Sequence, residues 1–220
     1  MFKPTAKVIS CTKPVDESIA NANEFIAYVA RVSNPSNQNN HETSDKLINY
    51  LMRHKHWSPF EHYYITLEIE CPKDIAVQLL RHRSFVFQEF SGRYQDYNQL
   101  DNPFIIRETR LQDTKNRQNS LATNDVALDN FWRETQEGVI RNAQVAYEQA
   151  LENGIAKEQA RAVLPIGLFK SRLYVTGNIR SFIHYLSVRL DPTTQKEHRE
   201  LAQAMKEAIN PYFNLDVLDS

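Results

Sequence analysis

A chain of 220 residues in which 41% are apolar can bury one substantial core. Its 26 lysines and arginines against 27 aspartates and glutamates exclude a globally basic nucleic-acid binder, so any anion site must come from local clustering. Cys11 and Cys71 suggest neither a disulfide framework nor a Cys-rich metal site, while the opening MFKPTAKVIS lacks the apolar core of a signal peptide and no run approaches bilayer length; a soluble, cytoplasmic protein is expected.

Lys7 to Cys11 reads as a short strand, and Ser18 to Val32 as a helix followed by the turn-rich loop SNPSNQNN. A second helix is expected over Glu42 to His54, with Leu47, Tyr50 and Leu51 on one face, broken by Trp57-Ser58-Pro59. Between His62 and Cys71 apolar and polar residues alternate. Tyr63, Ile65, Leu67, Ile69 and Cys71 face one way and Thr66, Glu68 and Glu70 the other, as in a half-buried strand. Pro72 suits the first turn of a helix that runs through Ile75, Leu79 and Leu80 into Arg81-His82-Arg83. Phe85, Phe87 and Phe90 read as packing residues.

Asn98 to Asn119 is polar and irregular, with a short strand expected at Phe104 to Ile106. The longest helix is expected over Asp125 to Glu152, its stripe being Leu128, Trp132, Val139, Ala143, Ala146, Ala150 and Leu151, and Asn153-Gly154 ends it. A short helix stops at Pro165, Leu168 to Val175 reads as a strand, and helices follow over Asn178 to Leu190 and Gln195 to Ile209. Together these predict a single α+β domain over residues 1–220: a small, mostly antiparallel sheet flanked by several helices, with one long central helix.

The chemistry concentrates in RHRSFVFQEFSGRY, Arg81 to Tyr94. The five glycines are dispersed and cannot build a phosphate-cradling loop, so side-chain cations must hold any nucleotide phosphate. Arg81, His82, Arg83 and Arg93 form a compact positive cluster. Arginine stays charged and clamps phosphate oxygens bidentately, Gly92 permits close approach of a ligand, Ser91 can donate, and Glu89 can orient an arginine or accept from a ligand. Against this stands the structural reading that a basic helix end merely complements the helix dipole.

Arg-His-Arg, seven residues and then Ser91 resembles the signature of the flavin-dependent thymidylate synthases, and Glu89, Ser91, Gly92, Arg93 and Tyr94 continue the match. The resemblance extends through Ala30-Arg31-Val32-Ser33, His56-x-Ser58-Pro59-Phe60-Glu61-His62, Arg161-x-Val163-Leu164-Pro165 and Asn178-x-Arg180-Ser181 to Arg189. It implies methylation of dUMP with 5,10-methylenetetrahydrofolate, using reducing equivalents from NADPH passed through FAD, in a homotetramer whose sites lie at subunit interfaces. It places Ser58, Arg81, His82, Arg83, Glu89, Asn178, Arg180 and His184 on FAD. Gln78, Arg81, Glu89, Ser91, Gly92, Arg93 and Arg161 would meet dUMP, with His56 on the folate side. Arg189 would lie against the uracil ring as the most directly catalytic side chain, stabilising negative charge that develops there. His184 stands where many members carry asparagine, and Phe169-Lys170 replaces a tyrosine-threonine pair. Gln195-x-Glu197-x-Arg199 fits the family without an assigned role.

Eleven steps separate Asn178 from Arg189, which puts them within roughly 20° on a helix, with Arg180 and His184 on nearly the opposite face. One helix serving two sites across a subunit interface would have this pattern. Ser91 is read as a binding residue rather than a nucleophile, and neither cysteine lies in the motif. Two rival readings remain open at this stage. One is a single-stranded RNA-binding module that stacks bases on Phe85, Phe87, Phe90, Tyr94 and Tyr97. The other is a metallohydrolase using His54, His56, Glu61 and His62, although no H-E-x-x-H spacing exists and no metal is expected.

Overall fold

The computed structural model describes residues 2–97 and 100–215. Its centre is the alternating segment. Strand β2 (Tyr64–Pro72) pairs antiparallel on one side with β1 (Thr5–Cys11) and on the other with β6 (Lys170–Asn178), while β3 (Val86–Glu89) pairs antiparallel with β6 at the edge. The sheet order is therefore β1-β2-β6-β3. Ile65, Leu67, Ile69 and Cys71 oppose Gly177, Val175, Leu173 and Ser171, and this face is buried. The opposite face is polar: the Thr66 and Thr176 hydroxyls meet at 2.9 Å and Arg172 pairs with Glu68. A period of two places one side chain in the core and the next in water, so the β2 pattern alone determines which face the helices cover.

That face is covered by α1 (Ala22–Ala30), α2 (Ser44–Arg53), α3 (Lys73–Leu79), α6 (Ile179–Arg189) and α7 (Lys196–Ile209). Helix α1 starts later than the apolar pattern suggests because Asn21 caps it. The Asn21 side chain accepts from the Glu24 amide, and Glu24 accepts from the Ala20 amide, a reciprocal arrangement that satisfies two otherwise orphaned donors. In α2 the buried residues are Ser44, Ile48, Leu51 and Met52. Tyr50, expected on the inner face, is exposed and packs on His54 instead.

Helix α3 ends at Leu79. Arg81, His82 and Arg83 follow it in a turn rather than continuing it, so the helix-dipole explanation of the basic run loses its geometric basis. Strand β3 was not anticipated. Four residues are too few to show a period, and the strand depends on β6 for its partners. The polar stretch before the long helix also contains an unforeseen hairpin, β4 (Arg110–Gln112) with β5 (Ser120–Ala122). The strand expected at Phe104 to Ile106 reduces to a single bridge, Phe104 to Phe169.

The long helix, α4 (Val126–Glu152), is capped by Asp125, which accepts from the Leu128 amide. A short α5 (Lys157–Ala160) follows. Helix α4 supplies no residue to the core. Only Gln136, Ala143 and Tyr147 are buried along it, while Phe131, Trp132 and Val139 of its apolar surface are exposed. Of the expected stripe Ala143 is buried, Leu128, Ala146, Ala150 and Leu151 are half-buried, and Trp132 and Val139 are exposed. Among the described residues no helix is long and apolar enough to cross a membrane.

Candidate active site

The turn after α3 is pinned to the start of α6. The Ser181 hydroxyl reaches the Ser84 carbonyl at 3.4 Å, and the Phe85 ring packs on Phe182 with centroids 4.8 Å apart. Gly177 is required at this contact, because a Cβ there would lie 2.4 Å from the Phe85 ring. Phe85 is buried and Phe87 packs against the core, so neither can stack a base, and the RNA-binding reading loses its principal platform.

Within this frame Arg189, at the end of α6, donates from Nε to His82 Nε2 at 3.1 Å. His82 must then offer a lone pair there and carry its proton on Nδ1. Burial, reinforced by the Arg189 charge, holds the His82 imidazole below its ordinary pKa and so favours that neutral form. His82 also meets the Tyr185 ring edge-on at 4.9 Å. Arg189 and Gln78 line one cavity of about 640 Å³ together with Thr193, Thr194 and Gln195.

Other expected residues lie elsewhere. Arg161 lines a second cavity of about 400 Å³ with Lys73, Phe90, Tyr97 and Ser171. Arg93 is connected to that region by a loose pair with Glu158 at 3.5 Å, and both side chains are at least half exposed. Glu89 falls on the buried side of β3 by alternation, so its carboxylate needs internal partners. It has them: Lys73 Nζ at 2.6 Å and the Ser171 hydroxyl at 2.7 Å. The space beside Gly92, expected to admit a ligand, is filled by Tyr97, whose hydroxyl would lie 2.0 Å from an added Cβ. Ser91 is half-buried, and the His82 Nε2 that could have activated it is engaged by Arg189.

A third group lies on the outer face of α6. Arg180 pairs with Glu61, and the exposed His184 meets Trp57 at 5.2 Å, next to Ser58 in the 3-10 turn Ser58–His62. Asn178 is not part of the helix. It is the N-cap, with extended backbone, and its side chain accepts from the Ser181 amide at 2.9 Å. Helical angles therefore cannot be counted from it. Counted within the helix, Arg189 lies roughly 180° from Arg180 and roughly 140° from His184, so the two-faced character of α6 holds without Asn178. Arg81 and Arg83 are exposed, and among the described residues neither side chain has a hydrogen-bond or ion-pair partner.

His56 is exposed at the end of α2, its ring 6.0 Å from Tyr50 and 6.2 Å from His54. Glu61 is engaged by Arg180, and among the described residues no three His, Cys, Asp or Glu side chains converge as metal ligands, so the metallohydrolase reading lacks its geometry. The Cys71 thiol is buried, and burial together with the nearby Glu89 and Asp74 carboxylates pushes its pKa up to about 12, the opposite of an activated nucleophile.

Sequence reasoning missed His198. It lies on α7, fully buried, with Nδ1 3.2 Å from Gln78 Oε1 and Nε2 3.1 Å from the Tyr185 hydroxyl. The available signal was its register: His198 shares the stripe of Leu201, Ala202, Met205 and Ile209, where a polar residue needs a partner. A cavity of about 770 Å³ between the β4–β5 hairpin and α4 is lined by Arg107, Arg110, Trp132 and Gln136 among others and by none of the expected site residues.

Comparison with known proteins identifies the family and the fold. Residues 15–213 match the family model described as thymidylate synthase complementing protein. The chain is 48% identical over 209 residues to a probable flavin-dependent thymidylate synthase of Paramecium bursaria Chlorella virus 1, covering 95% of each chain. It is 45% identical over 210 residues to a flavin-dependent thymidylate synthase of Synechocystis sp., covering 94% of each. The fold is similar to that of a UMP/dUMP methylase from Streptomyces cacaoi bound with 5-Br dUMP, with a TM-score of 0.80 and 26% identity over 96% of this chain and 91% of that one. The chain thus belongs to the thymidylate synthase complementing protein family, the flavin-dependent thymidylate synthases that its signature resembles.

Proposed function

We propose that the protein is a cytoplasmic flavin-dependent thymidylate synthase, acting as one domain, that methylates dUMP to dTMP with 5,10-methylenetetrahydrofolate as carbon donor and NADPH as reductant. The observation that carries the reading is the Arg189–His82 pair beside Gln78, built by α6 and the signature turn in a chain whose relatives bear that activity in their names.

The donor set fits FAD. Two exposed arginines that have no partner among the described residues, Arg81 and Arg83, offer charge and fork geometry to a diphosphate, and Ser58, Asn178, Arg180 and His184 offer polar contacts beside the Trp57 ring. When bound, FAD supplies the hydride that the methylated base requires, so no enzyme nucleophile is needed. The chain's own groups bind and orient. Arg93, Ser91 and Arg161 hold the dUMP phosphate, Gln78 meets the nucleotide, and Arg189 places a fixed guanidinium where negative charge develops on the uracil ring. His82, as a neutral acceptor, fixes the Arg189 plane without competing for its charge. Glu89 acts through Lys73 and Ser171, holding the strand that leads into Ser91.

These residues occupy separate cavities within one chain, which supports a homotetramer in which neighbouring subunits bring the phosphate side and the base side together. The outward apolar surface of α4, with Phe131 63% and Trp132 38% exposed, supports the same assembly. The test is direct. Purified protein is expected to show flavin absorbance that NADPH bleaches, to release tritium from 5-tritiated dUMP, and to sediment as a tetramer. A colourless protein that neither binds FAD nor releases tritium defeats the activity, and a fully active monomer defeats the assembly.

A further inference from the structure

Behind Gln78 lies a hydrogen-bond chain whose direction can be deduced from one end. Glu197 is buried at 8% exposure. Burial pushes its pKa up, but the Arg110 hydrogen bond, a backbone amide and the charges of Arg110 and Arg107 outweigh that and hold it ionised. An ionised carboxylate only accepts. Gln195 therefore turns its amide nitrogen to Glu197 at 3.1 Å and its carbonyl oxygen to Gln78, whose amide nitrogen donates at 2.9 Å. The Gln78 oxygen must then accept from His198 at 3.2 Å, which requires the proton on Nδ1. Nε2 is left as an acceptor, and the Tyr185 hydroxyl donates to it at 3.1 Å. Each link determines the next, from Tyr185 through His198, Gln78 and Gln195 to Glu197.

An amide side chain can be flipped at almost no steric cost, which exchanges its donor and acceptor. Here a flip would set two donors against each other at the fully buried His198, where water cannot make good the loss, and two acceptors at the exposed Gln195. We propose that His198 is a positioning residue for nucleotide recognition: with Tyr185, Gln195 and Glu197 it fixes which edge of the Gln78 amide faces the cavity shared with Arg189. This rests on the reading of Gln78 and Arg189 as dUMP contacts. His198 suits the task because it is fully buried, and burial, with Arg189 and His82 adding to it, lowers its pKa to about 3, so it stays neutral and keeps one tautomer. The proposal also gives the Gln195-x-Glu197 pair a role: it anchors the chain at its accepting end.

The test compares His198→Leu with His198→Asn in the FAD-loaded enzyme. Leucine removes both bonds, whereas the asparagine amide sits near the Nδ1 position and can still donate to Gln78. His198→Leu is expected to raise KM for dUMP about tenfold with FAD affinity within about twofold of wild type, and His198→Asn to restore most of the loss. In a double-mutant cycle, His198→Leu should add little to Gln78→Ala, because both act through one amide. Unchanged dUMP affinity in His198→Leu overturns the proposal. So does parallel loss of FAD and dUMP binding in both variants, or a full tenfold effect of His198→Leu persisting in the Gln78→Ala background. Wild-type enzyme titrated with dUMP in the same series separates the two readings. No binding there removes the nucleotide reading itself, whereas tight wild-type binding with an indifferent His198 removes only the positioning role.

Discussion

The two sides of the signature differ in how far they are finished within one chain. On the Gln78–His82–Arg189 side the three residues are each tied by hydrogen bonds to other side chains, and the supporting residues Tyr185 and His198 are fully or almost fully buried. On the Arg81–Arg83–Arg93 side the cations are exposed, and among the described residues the one pair formed is the loose Arg93–Glu158 contact. The difference teaches a division of labour. Recognition and polarisation of a planar base need donors fixed to within tenths of an ångström, and burial supplies that. Phosphate binding needs charge at approximate positions, which exposed arginines supply and a ligand or neighbouring subunit completes.

The sharpest way to break this comparison is Arg189→Ala. It should lower kcat by about 10²–10³, the range for losing a preorganised donor at developing charge. It should also lower Tm, since His82 Nε2 loses its donor in a part-buried site; single-turnover kinetics with calorimetry checks both. A loss of kcat at unchanged Tm would mean that Arg189 is free to move, contrary to the built-side picture.

Acidification probes the same side next. His82 and His198 both have depressed pKa values in the folded chain. Below the ordinary value of 6.5 the unfolded chain takes up protons that the folded one refuses, so stability is complete above about pH 6.5 and falls as pH drops toward about 3, the folded value of His198. Thermal unfolding of His198→Asn across this range should show a flatter acid limb than wild type. An identical limb would place the acid sensitivity elsewhere.

Arg93→Ala should have the smallest effect on the protein and a selective one on the ligand. Tm is expected within about 1 °C of wild type, because an exposed ion pair contributes about 0–1 kcal/mol. KM for dUMP should rise about tenfold or more through loss of a charge-assisted phosphate contact. Binding of deoxyuridine, which lacks the phosphate, should not change. If deoxyuridine affinity fell in parallel, Arg93 would belong to the built side after all.

Much of the frame was legible in the sequence because its signals are local. Ile65, Leu67, Ile69 and Cys71 alternate and are all buried, and the helices over Asn178 to Leu190 and Gln195 to Ile209 lie close to their expected bounds. The Asn21–Glu24 capping pair was also in plain view and would have trimmed the first helix. Strand β3 and the β4–β5 hairpin were not legible, since such short strands exist only through their partners. The apolar stripe of α4 was legible as a stripe, but periodicity does not say how completely a chain covers such a face by itself.

The amino-acid sequence by itself determined the sheet's buried face, the helix-rich α+β class, the family and the identity of the residues at its signature. These follow from residue spacing along one chain. Only the tertiary structure decided that His82 receives a hydrogen bond from Arg189 across 107 positions, that Glu89 pairs with Lys73 and accepts from Ser171, and that His198 stands behind Gln78. Those pairings depend on how strands and helices distant in the chain come together, and close packing joins residues whose separation along the sequence carries no trace of the contact.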